Sequence, residues 1–365
     1  MGLGFDWRMP VQLRFGSGCS QALAAELSER GTLVLAFEPA EALGLKAAWL
    51  QALGPRVQAW LTVPDGLSTL ALARALAARV WPLLADRPDT VLVGLGGGSV
   101  LDLAKLLRSR PADGDFEAVA AALRGTAAWP ALRHSPLWLV PTTAGTGSEV
   151  TRWATIWDTD GRMALKRSFD EAWGFADRAF VDPALTLSAP AALTRDTALD
   201  SIAHALEAIW NRHANPISDA LAVQAARRVR QHLARVLAEP SDLAGREQLS
   251  LAALEAGLAF AQTRTALAHA LSYALTLEQG VPHGLAVASW LPTACRLAVG
   301  RLSSADTALE AVFGVAAAEA PQVLQAWLES LGVAVDPASH GVSDSQARVK
   351  AALASARGRN FIGAP

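Results

Sequence analysis

Two short apolar stretches in the second half of the chain hold three of its seven histidines and one aspartate. Asp200 and His204 are four residues apart in a segment of helical pattern, so they share one helix face and could bind a common ion. His269 lies in an apolar helical run, and His283 lies between a proline and a glycine, where a turn can present it to a cavity. One carboxylate and three imidazoles suit Fe²⁺ or Zn²⁺ and leave a position for a substrate oxygen. Glu207, three residues beyond His204, could hydrogen-bond to a ligand.

The same residues also have purely structural interpretations. Asp200 and His204 by themselves fit an ordinary i,i+4 pair. A lone histidine in an apolar run, such as His269, is usually a hydrogen-bonded core residue. The combination of all four residues favours a catalytic metal site, with Asp200, His204, His269 and His283 as the metal ligands.

A glycine-rich segment follows the buried strand predicted over residues 91–95. Glycine lets the backbone approach a ligand, and the helix behind it offers free N–H groups and the positive end of its dipole. This arrangement suits a pyrophosphate. A tight strand–helix turn has the same pattern, and the spacing is not that of the G-x-G-x-x-G fingerprint. The cofactor-binding candidates here are Gly96, Gly97, Gly98 and Ser99.

A second loop, over residues 141–151, has five hydroxyl side chains and two glycines after the strand predicted at 137–140. Open parallel sheets bind ligands at the carboxyl ends of their strands. A Thr/Ser-rich turn that only caps a helix is the alternative, but two such loops in one domain favour a nucleotide site. The candidates in this loop are Thr142, Thr143, Thr146 and Ser148.

Glu38 ends the buried run 33–37. A carboxylate at that place can accept hydrogen bonds from the adenosine ribose and would repel a 2′-phosphate, which favours NAD(H) over NADP(H). A solvated turn carboxylate is the alternative interpretation. Lys166 is a further candidate for cofactor binding.

The first half of the chain alternates strand-like and helix-like segments, which predicts a parallel sheet with helices on both faces. Strands are predicted at 11–15, 32–37, 57–63, 90–95 and 137–140, and helices at 20–28, 41–53 and 70–84. A turn at 159–161 between the segments 154–158 and 162–165 predicts a β-hairpin. From about Leu193 the pattern is helical almost throughout. We therefore predict an α/β nucleotide-binding domain over 1–183 and a helical metal-binding domain over 184–365.

The composition narrows the class of protein further. Hydrophobic residues make up 52% of 365 residues and the net charge is −2, which indicates a globular chain and no nucleic-acid partner. The two cysteines, Cys19 and Cys295, are too far apart in sequence to suggest a disulfide framework. No signal-peptide pattern or long apolar span is apparent, so we expect a cytoplasmic protein without a membrane segment.

Taken together, these residues resemble the iron-containing alcohol dehydrogenase family. The matching pieces, in order, are GGGSVLDLAK (96–105), PTTAGTGSEVT (141–151), DPALTLSAP (182–190), the helix with Asp200 and His204, and the spacing of His269 and His283. The resemblance implies a Rossmann-like α/β domain followed by an all-α domain, the fold shared with dehydroquinate synthase, with the site in the cleft between them. It also implies the four metal ligands named above, Asp102 near the nicotinamide ribose, and a homodimer. Many members carry a histidine where this chain has Tyr273, which puts the proton route to solvent in question.

Several further segments look like the branch of that family associated with phosphonate metabolism: TRWATIWD (151–158), HALEAIWNRHANPISDALA (204–222), TRTALAHALSYALT (263–276) and the RNFIG ending. Members of that branch act on aldehydes such as phosphonoacetaldehyde. Arg152 and Arg264 could bind the phosphonate through paired N–H donors. The alternative is that both arginines are surface residues.

The expected function is therefore that of a metal-dependent, NAD(P)-linked alcohol dehydrogenase or aldehyde reductase acting on a small molecule. Phosphonoacetaldehyde, reduced to 2-hydroxyethylphosphonate, is the candidate substrate. The alternatives are an oxidoreductase like glycerol dehydrogenase or maleylacetate reductase, a lyase like dehydroquinate synthase, and a nucleotide-binding regulator without catalysis.

Overall fold

The computed structural model describes residues 4–161 and 164–364, which form an α/β part with a parallel sheet followed by a helical part. This confirms the predicted fold class. The strands in these residues, numbered along the chain, are β1 (Gln12–Phe15), β2 (Thr32–Phe37), β3 (Val57–Val63), β4 (Val91–Gly96), β5 (Ser109–Pro111), β6 (Leu132–His134), β7 (Leu137–Pro141), β8 (Trp153–Asp158), β9 (Leu165–Asp170) and β10 (Arg178–Val181).

Six of the described strands form one sheet in the order β1-β10-β7-β4-β2-β3, and every neighbouring pair is parallel. Strands β4 and β7 are buried along their whole length and β2 along nearly all of it, as their continuous apolar runs predict. Strand β1 lies at the edge and is exposed throughout. The carboxyl ends of β4 and β7 are therefore neighbours, with Gly96 opposite Pro141.

The local sequence pattern does not reveal strand β10. It has only four residues and begins with a charged one, Arg178. It becomes a strand because β1 and β7 flank it, pairing Gln12 and Trp138 with Arg178 on its two sides. The predicted hairpin is confirmed by the antiparallel pairing of β8 with β9, although Arg162 and Met163, which we expected in its second arm, lie outside the described residues.

The helices divide between the two halves of the chain. In the described residues they are α1 (Leu23–Leu27), α2 (Leu45–Leu53), α3 (Leu70–Asp86), α4 (Gly98–Leu107), α5 (Phe116–Arg124), α6 (Ala191–Ile209), α7 (Pro216–Ala238), α8 (Leu243–Thr263), α9 (Leu267–Gln279), α10 (His283–Ala288), α11 (Leu291–Ala298), α12 (Ser303–Phe313), α13 (Ala320–Ser330) and α14 (Ser345–Ala354). Helix α2 begins four residues later than the pattern predicts, because Gly44 takes a left-handed conformation at its N-cap.

The described residues form two compact units. The first, the sheet unit, contains Pro10–Thr143 and Ser148–Ser188. The second, the helical unit, contains residues 4–9, Ala144–Gly147 and the chain from Ala189 onward. No helix within the described ranges is both long and apolar enough to cross a lipid bilayer.

Candidate metal centre and cofactor loops

Helix α6 brings Asp200 and His204 to the centre of a cluster that also contains His269 of α9 and His283 of α10. Asp200 Oδ1 lies 3.8 Å from His204 Nε2, 3.3 Å from His269 Nε2 and 3.8 Å from His283 Nε2. Potential ligand atoms of Asp200, His269 and His283 all lie within 4.8 Å of one another. The structure therefore brings together all four side chains that the sequence nominates, although 83 positions separate the first from the last in the numbering.

The rings around this point are held by stacking. The His204 ring stacks on Phe260 at 4.1 Å between centroids and on the His269 ring at 4.6 Å. The His269 and His283 rings meet at an interplanar angle of 65°. Packing on both faces restricts the rotation of His204 and keeps its Nε2 directed toward Asp200.

Two polar atoms at the centre of the cluster are buried and make no hydrogen bond within the described residues. Asp200 Oδ1 and His269 Nε2 have no hydrogen-bond partner among the described residues. Burial disfavours the charged form of Asp200, yet His204, His269 and His283 together hold the pKa of this carboxyl well below its usual range. A buried anion and a buried imidazole nitrogen that face the same point fit a divalent cation, since leaving them unsatisfied is costly. The donor set is the one that Fe²⁺ and Zn²⁺ accept.

Glu207, a residue of helix α6, caps the N-terminus of α9 with its side chain. Its fully buried carboxylate accepts the backbone N–H groups of Ala266 at 2.7 Å, Ala268 at 2.5 Å and His269 at 3.2 Å. No side chain at the N-cap position of α9 does this. Glu207 Oε2 also lies 2.7 Å from His269 Nδ1. Burial disfavours its ionisation, but His269 and these N–H donors hold the pKa of Glu207 below its usual range.

Asp196 plays the corresponding part for α10. Its Oδ1 accepts the backbone N–H of Leu285 at 2.9 Å, in the first turn of the helix that begins with His283. A Cβ at position 284 would come within 1.9 Å of the Asp196 carbonyl oxygen, so glycine is required for this close approach. Burial raises the pKa of Asp196 to about 6. Helix α6 thus carries two candidate ligands and the two carboxylates that position the helices bearing the others.

The glycine-rich loop occupies the end of β4 in the sheet unit. A Cβ at Gly96 would lie 2.7 Å from Val100 Cγ2, so only glycine allows this turn into α4. No side chain caps the N-terminus of α4 within the described structure, which leaves its first amides available to an anion. Thr142 donates its backbone N–H to the Gly96 carbonyl at 3.0 Å, and this bond joins the start of the second loop to the first.

Two side chains on α4, Asp102 and Lys105, form hydrogen bonds with the end of the second loop and the start of β8. Asp102 accepts hydrogen bonds from Ser148 Oγ and from the Thr155 N–H, both at 2.7 Å. Lys105, one turn further along the helix, donates to Thr151 Oγ1 at 3.2 Å and to the Trp153 carbonyl at 2.7 Å.

Lys105 was not among the residues that the sequence nominates. It is fully buried, and this burial lowers its pKa to about 8, although Asp102 and Glu149 oppose the shift. Its spacing of three from Asp102 was the available signal, because residues i and i+3 share a helix face.

The other cofactor candidates are more scattered. Glu38 is exposed at the end of β2 and accepts the Asp65 N–H at 3.1 Å. Thr143 ends a segment of the sheet unit, whereas Thr146 belongs to the segment that groups with the helical unit. Lys166 lies on β9 with its Nζ 5.9 Å from the centre of the Trp157 ring.

The two candidate substrate arginines differ in their surroundings. Arg152, in the sheet unit, forms an ion pair with Asp170. Arg264, in the helical unit, is exposed directly after α8 and has a φ of +73°, which is uncommon for a residue other than glycine. A third arginine, Arg357, lies with its guanidinium carbon 5.1 Å from the centre of the Tyr273 ring. Sequence reasoning passed over Arg357 because nothing local marks it.

Two family models match the chain. The model described as iron-containing alcohol dehydrogenase matches residues 10–183, and the C-terminal model of the Fe-containing alcohol dehydrogenase family matches residues 194–362. Together they span nearly the whole chain.

Individual proteins of similar sequence include alcohol dehydrogenases and an aldehyde reductase. A probable alcohol dehydrogenase of Escherichia coli K12, EutG, is 32% identical over 279 residues, covering 72% of this chain and 69% of the relative. A sulfoacetaldehyde reductase of Bilophila wadsworthia is 33% identical over 207 residues, covering 55% of this chain and 51% of that protein. The chain thus spans about half the length of this relative and of several others.

A solved structure shows the same fold over almost the entire chain. It is that of sulfoacetaldehyde reductase from Bifidobacterium kashiwanohense in complex with NAD⁺, with a TM-score of 0.84 and 24% sequence identity. The match covers 99% of this chain and 95% of that one.

Proposed function

We propose, since the chain belongs to the iron-containing alcohol dehydrogenase family, that it is a metal-dependent, NAD(H)-linked oxidoreductase that interconverts a small aldehyde and its alcohol. The observation that carries this proposal is the convergence of Asp200, His204, His269 and His283 around two buried atoms that no described residue satisfies. A core histidine with an ordinary hydrogen-bonded role would not leave its Nε2 in this position.

In this proposal the metal is Fe²⁺ or Zn²⁺, held by the Asp200 carboxylate and the three Nε2 atoms. When bound, it supplies a Lewis acid for the substrate oxygen. In this proposal His269 Nδ1–H donates a hydrogen bond to Glu207 Oε2, so the lone pair of His269 Nε2 faces the centre of the cluster. Phe260 covers the His204 ring and keeps water from that side.

The glycine loop Gly96–Ser99 would bind the pyrophosphate of the cofactor at the N-terminus of α4. The bound dinucleotide supplies the hydride. In this proposal Asp102 lies near the nicotinamide ribose. It also accepts a hydrogen bond from Ser148 Oγ, which holds the Ser148 side chain in place. Glu38 at the end of β2 favours NAD(H), because a carboxylate repels a 2′-phosphate.

The proposed substrate is a small aldehyde with an acid group, phosphonoacetaldehyde, reduced to 2-hydroxyethylphosphonate. One relative of the chain is a sulfoacetaldehyde reductase, whose substrate name describes an aldehyde with an acid group of similar size. Arg264 is exposed and lies five residues before His269, so its guanidinium can bind an oxyanion. Arg152 is a weaker candidate because Asp170 already neutralises its charge.

A substrate screen with metal-reconstituted protein tests the proposal. We expect NADH consumption with small aldehydes, a preference for phosphonoacetaldehyde over a neutral aldehyde of similar size, and loss of both metal and turnover in His269→Ala. A variant that keeps its metal but melts at a lower temperature would make His269 a core residue instead. Turnover without net NADH consumption would favour the lyase alternative, and no turnover with any substrate after verified metal loading would refute the oxidoreductase. We also expect a homodimer, which light scattering measures directly.

A further inference from the structure

Arg357 is a half-buried cation in the helical unit that takes no part in the proposed mechanism. No hydrogen bond or ion pair to its guanidinium forms within residues 4–161 and 164–364, and its contact is with the face of Tyr273. Burial lowers the pKa of Arg357, and the charge of Arg264 lowers it further, while Glu207 opposes the shift. The charges of Arg357 and Arg264 repel each other, so an anion that binds both guanidinium groups at once is favoured at this place.

The location of Arg357 follows from the helix beneath it. Tyr273 lies four residues after His269 on α9, and residues at this spacing lie on the same face about 5–6 Å apart. Tyr273, beneath the guanidinium, is therefore one helical turn along α9 from a candidate metal ligand. Its electrostatic coupling to Glu207, the carboxylate that contacts His269, agrees with this position.

The C-terminal segment that carries Arg357 is tied to the connection that carries Arg264. Asn360 Nδ2 donates to the Thr265 carbonyl at 2.9 Å, and the Arg212 N–H donates to the Asn360 carbonyl at 2.7 Å. Asn211 Nδ2 donates to the Arg264 carbonyl at 3.0 Å, which supports the left-handed backbone of that residue. These bonds hold two arginines on adjacent segments beside the metal centre.

We propose that Arg357 is a specificity-determining residue that binds the oxyanion group of the substrate, with Tyr273 beneath its guanidinium and Arg264 as the second cation. The ligand class is an aldehyde or alcohol that carries a phosphonate or sulfonate close to its reacting carbon. This inference rests on the proposed function. It assigns Tyr273 a supporting role, since its aromatic face lies beneath the guanidinium and stabilises the cation.

The test compares Arg357→Gln and Arg357→Lys with wild type on phosphonoacetaldehyde, sulfoacetaldehyde and butanal. Arg359→Gln is the matched control, because Arg359 is exposed in the same segment and its one side-chain hydrogen bond among the described residues is to the Ala354 carbonyl. The glutamine variant should lose roughly 10- to 100-fold in kcat/KM on both acidic aldehydes and keep its rate on butanal. The lysine variant should recover part of the loss, since it keeps the charge but not the planar fork. The control should match wild type on all three substrates.

Two readouts do not depend on turnover. Titration of metal-loaded protein with methylphosphonate should show binding to wild type and to Arg359→Gln, and at least tenfold weaker binding to Arg357→Gln. The melting temperature of the glutamine variant should be unchanged or higher, because the substitution removes the repulsion between Arg357 and Arg264. A lower melting temperature without selective loss of the acidic substrates would make Arg357 structural and overturn the proposal.

The outcomes separate this inference from the proposed function. Equal losses on acidic and neutral aldehydes, or no loss, would overturn the role of Arg357 and leave the oxidoreductase standing. If wild type reduces butanal but neither acidic aldehyde, the role of Arg357 is likewise overturned and the oxidoreductase stands. If wild type reduces no aldehyde, the proposed function fails, and the methylphosphonate titration alone then decides whether Arg357 binds an oxyanion.

Discussion

Replacing Glu207 by glutamine changes one buried charge at the centre of the helical unit and leaves the side-chain volume nearly the same. Glu207 accepts three backbone N–H groups at the start of α9 and also pairs with His269 Nδ1. A glutamine offers one acceptor oxygen and turns an NH₂ group toward the remaining donors. At least one backbone N–H of α9 must therefore lose its partner in Glu207→Gln.

The size of the effect follows from these contacts. One buried N–H without an acceptor costs about 1–3 kcal/mol. Loss of the negative charge at a buried helix N-terminus costs up to about 2 kcal/mol more. The melting temperature should fall by roughly 2–20 °C, since about 1–5 kcal/mol is lost and each kcal/mol shifts a unit of this size by about 2–4 °C. Because the His269 ring also loses its anchor, affinity for the metal should fall about 10- to 100-fold.

The assay is thermal unfolding of apo and metal-loaded protein beside a chelator competition that measures metal affinity. Glu255→Gln is the matched control: Glu255 is a partly buried carboxylate on α8 that pairs with Arg228 at 3.0 Å and has no contact to His269 in the described structure. Its loss should cost at most about 1 kcal/mol and leave metal affinity unchanged. Wild-type metal affinity in Glu207→Gln would refute the positioning argument, and an unchanged melting temperature would refute the capping argument.

Exhaustive chelation should abolish turnover while NADH still binds, because the candidate metal ligands lie in the helical unit and the glycine loop lies in the sheet unit. Adding Fe²⁺ or Zn²⁺ should restore activity. Full turnover after the absence of metal has been verified would contradict the metal assignment. Glu38→Gly should lower the ratio of kcat/KM for NADH over NADPH, whereas a wild type that already prefers NADPH would show that Glu38 is not at the ribose. Lys105 should make stability depend on pH, because burial lowers its pKa to about 8 from an ordinary value of 10.5. Between these values the unfolded chain binds the proton more tightly, so the destabilisation is fully present below about pH 8 and is relieved as the pH rises toward 10.5. The melting temperature of wild type should therefore rise relative to that of Lys105→Met between pH 7.5 and 9.5, and a constant difference would contradict this reasoning.

Local sequence determines much of this protein, because helix faces and strand ends are set by neighbouring residues. The spacing of four between Asp200 and His204 puts both on one face of α6 before any tertiary contact exists. The continuous apolar runs of β4 and β7 predict buried parallel strands, and the glycine and hydroxyl residues after them predict a ligand at their carboxyl ends. Family membership could be predicted from the same motifs.

Only the tertiary structure decides which distant residues meet. Glu207 and His269 are 62 residues apart, and no local pattern shows that the carboxylate caps the helix bearing the histidine. Strand β10 forms because β1 and β7 leave a place between them.

Arg357 shows this limit most clearly. From the sequence alone, Arg357 would be taken for an ordinary charged surface residue. Its position over Tyr273 depends on the hydrogen bond from Asn360 Nδ2 to the Thr265 carbonyl, which anchors the C-terminal segment. Such contacts depend on packing of the whole chain, because the entropy of closing long loops is recovered only when many non-local contacts form together.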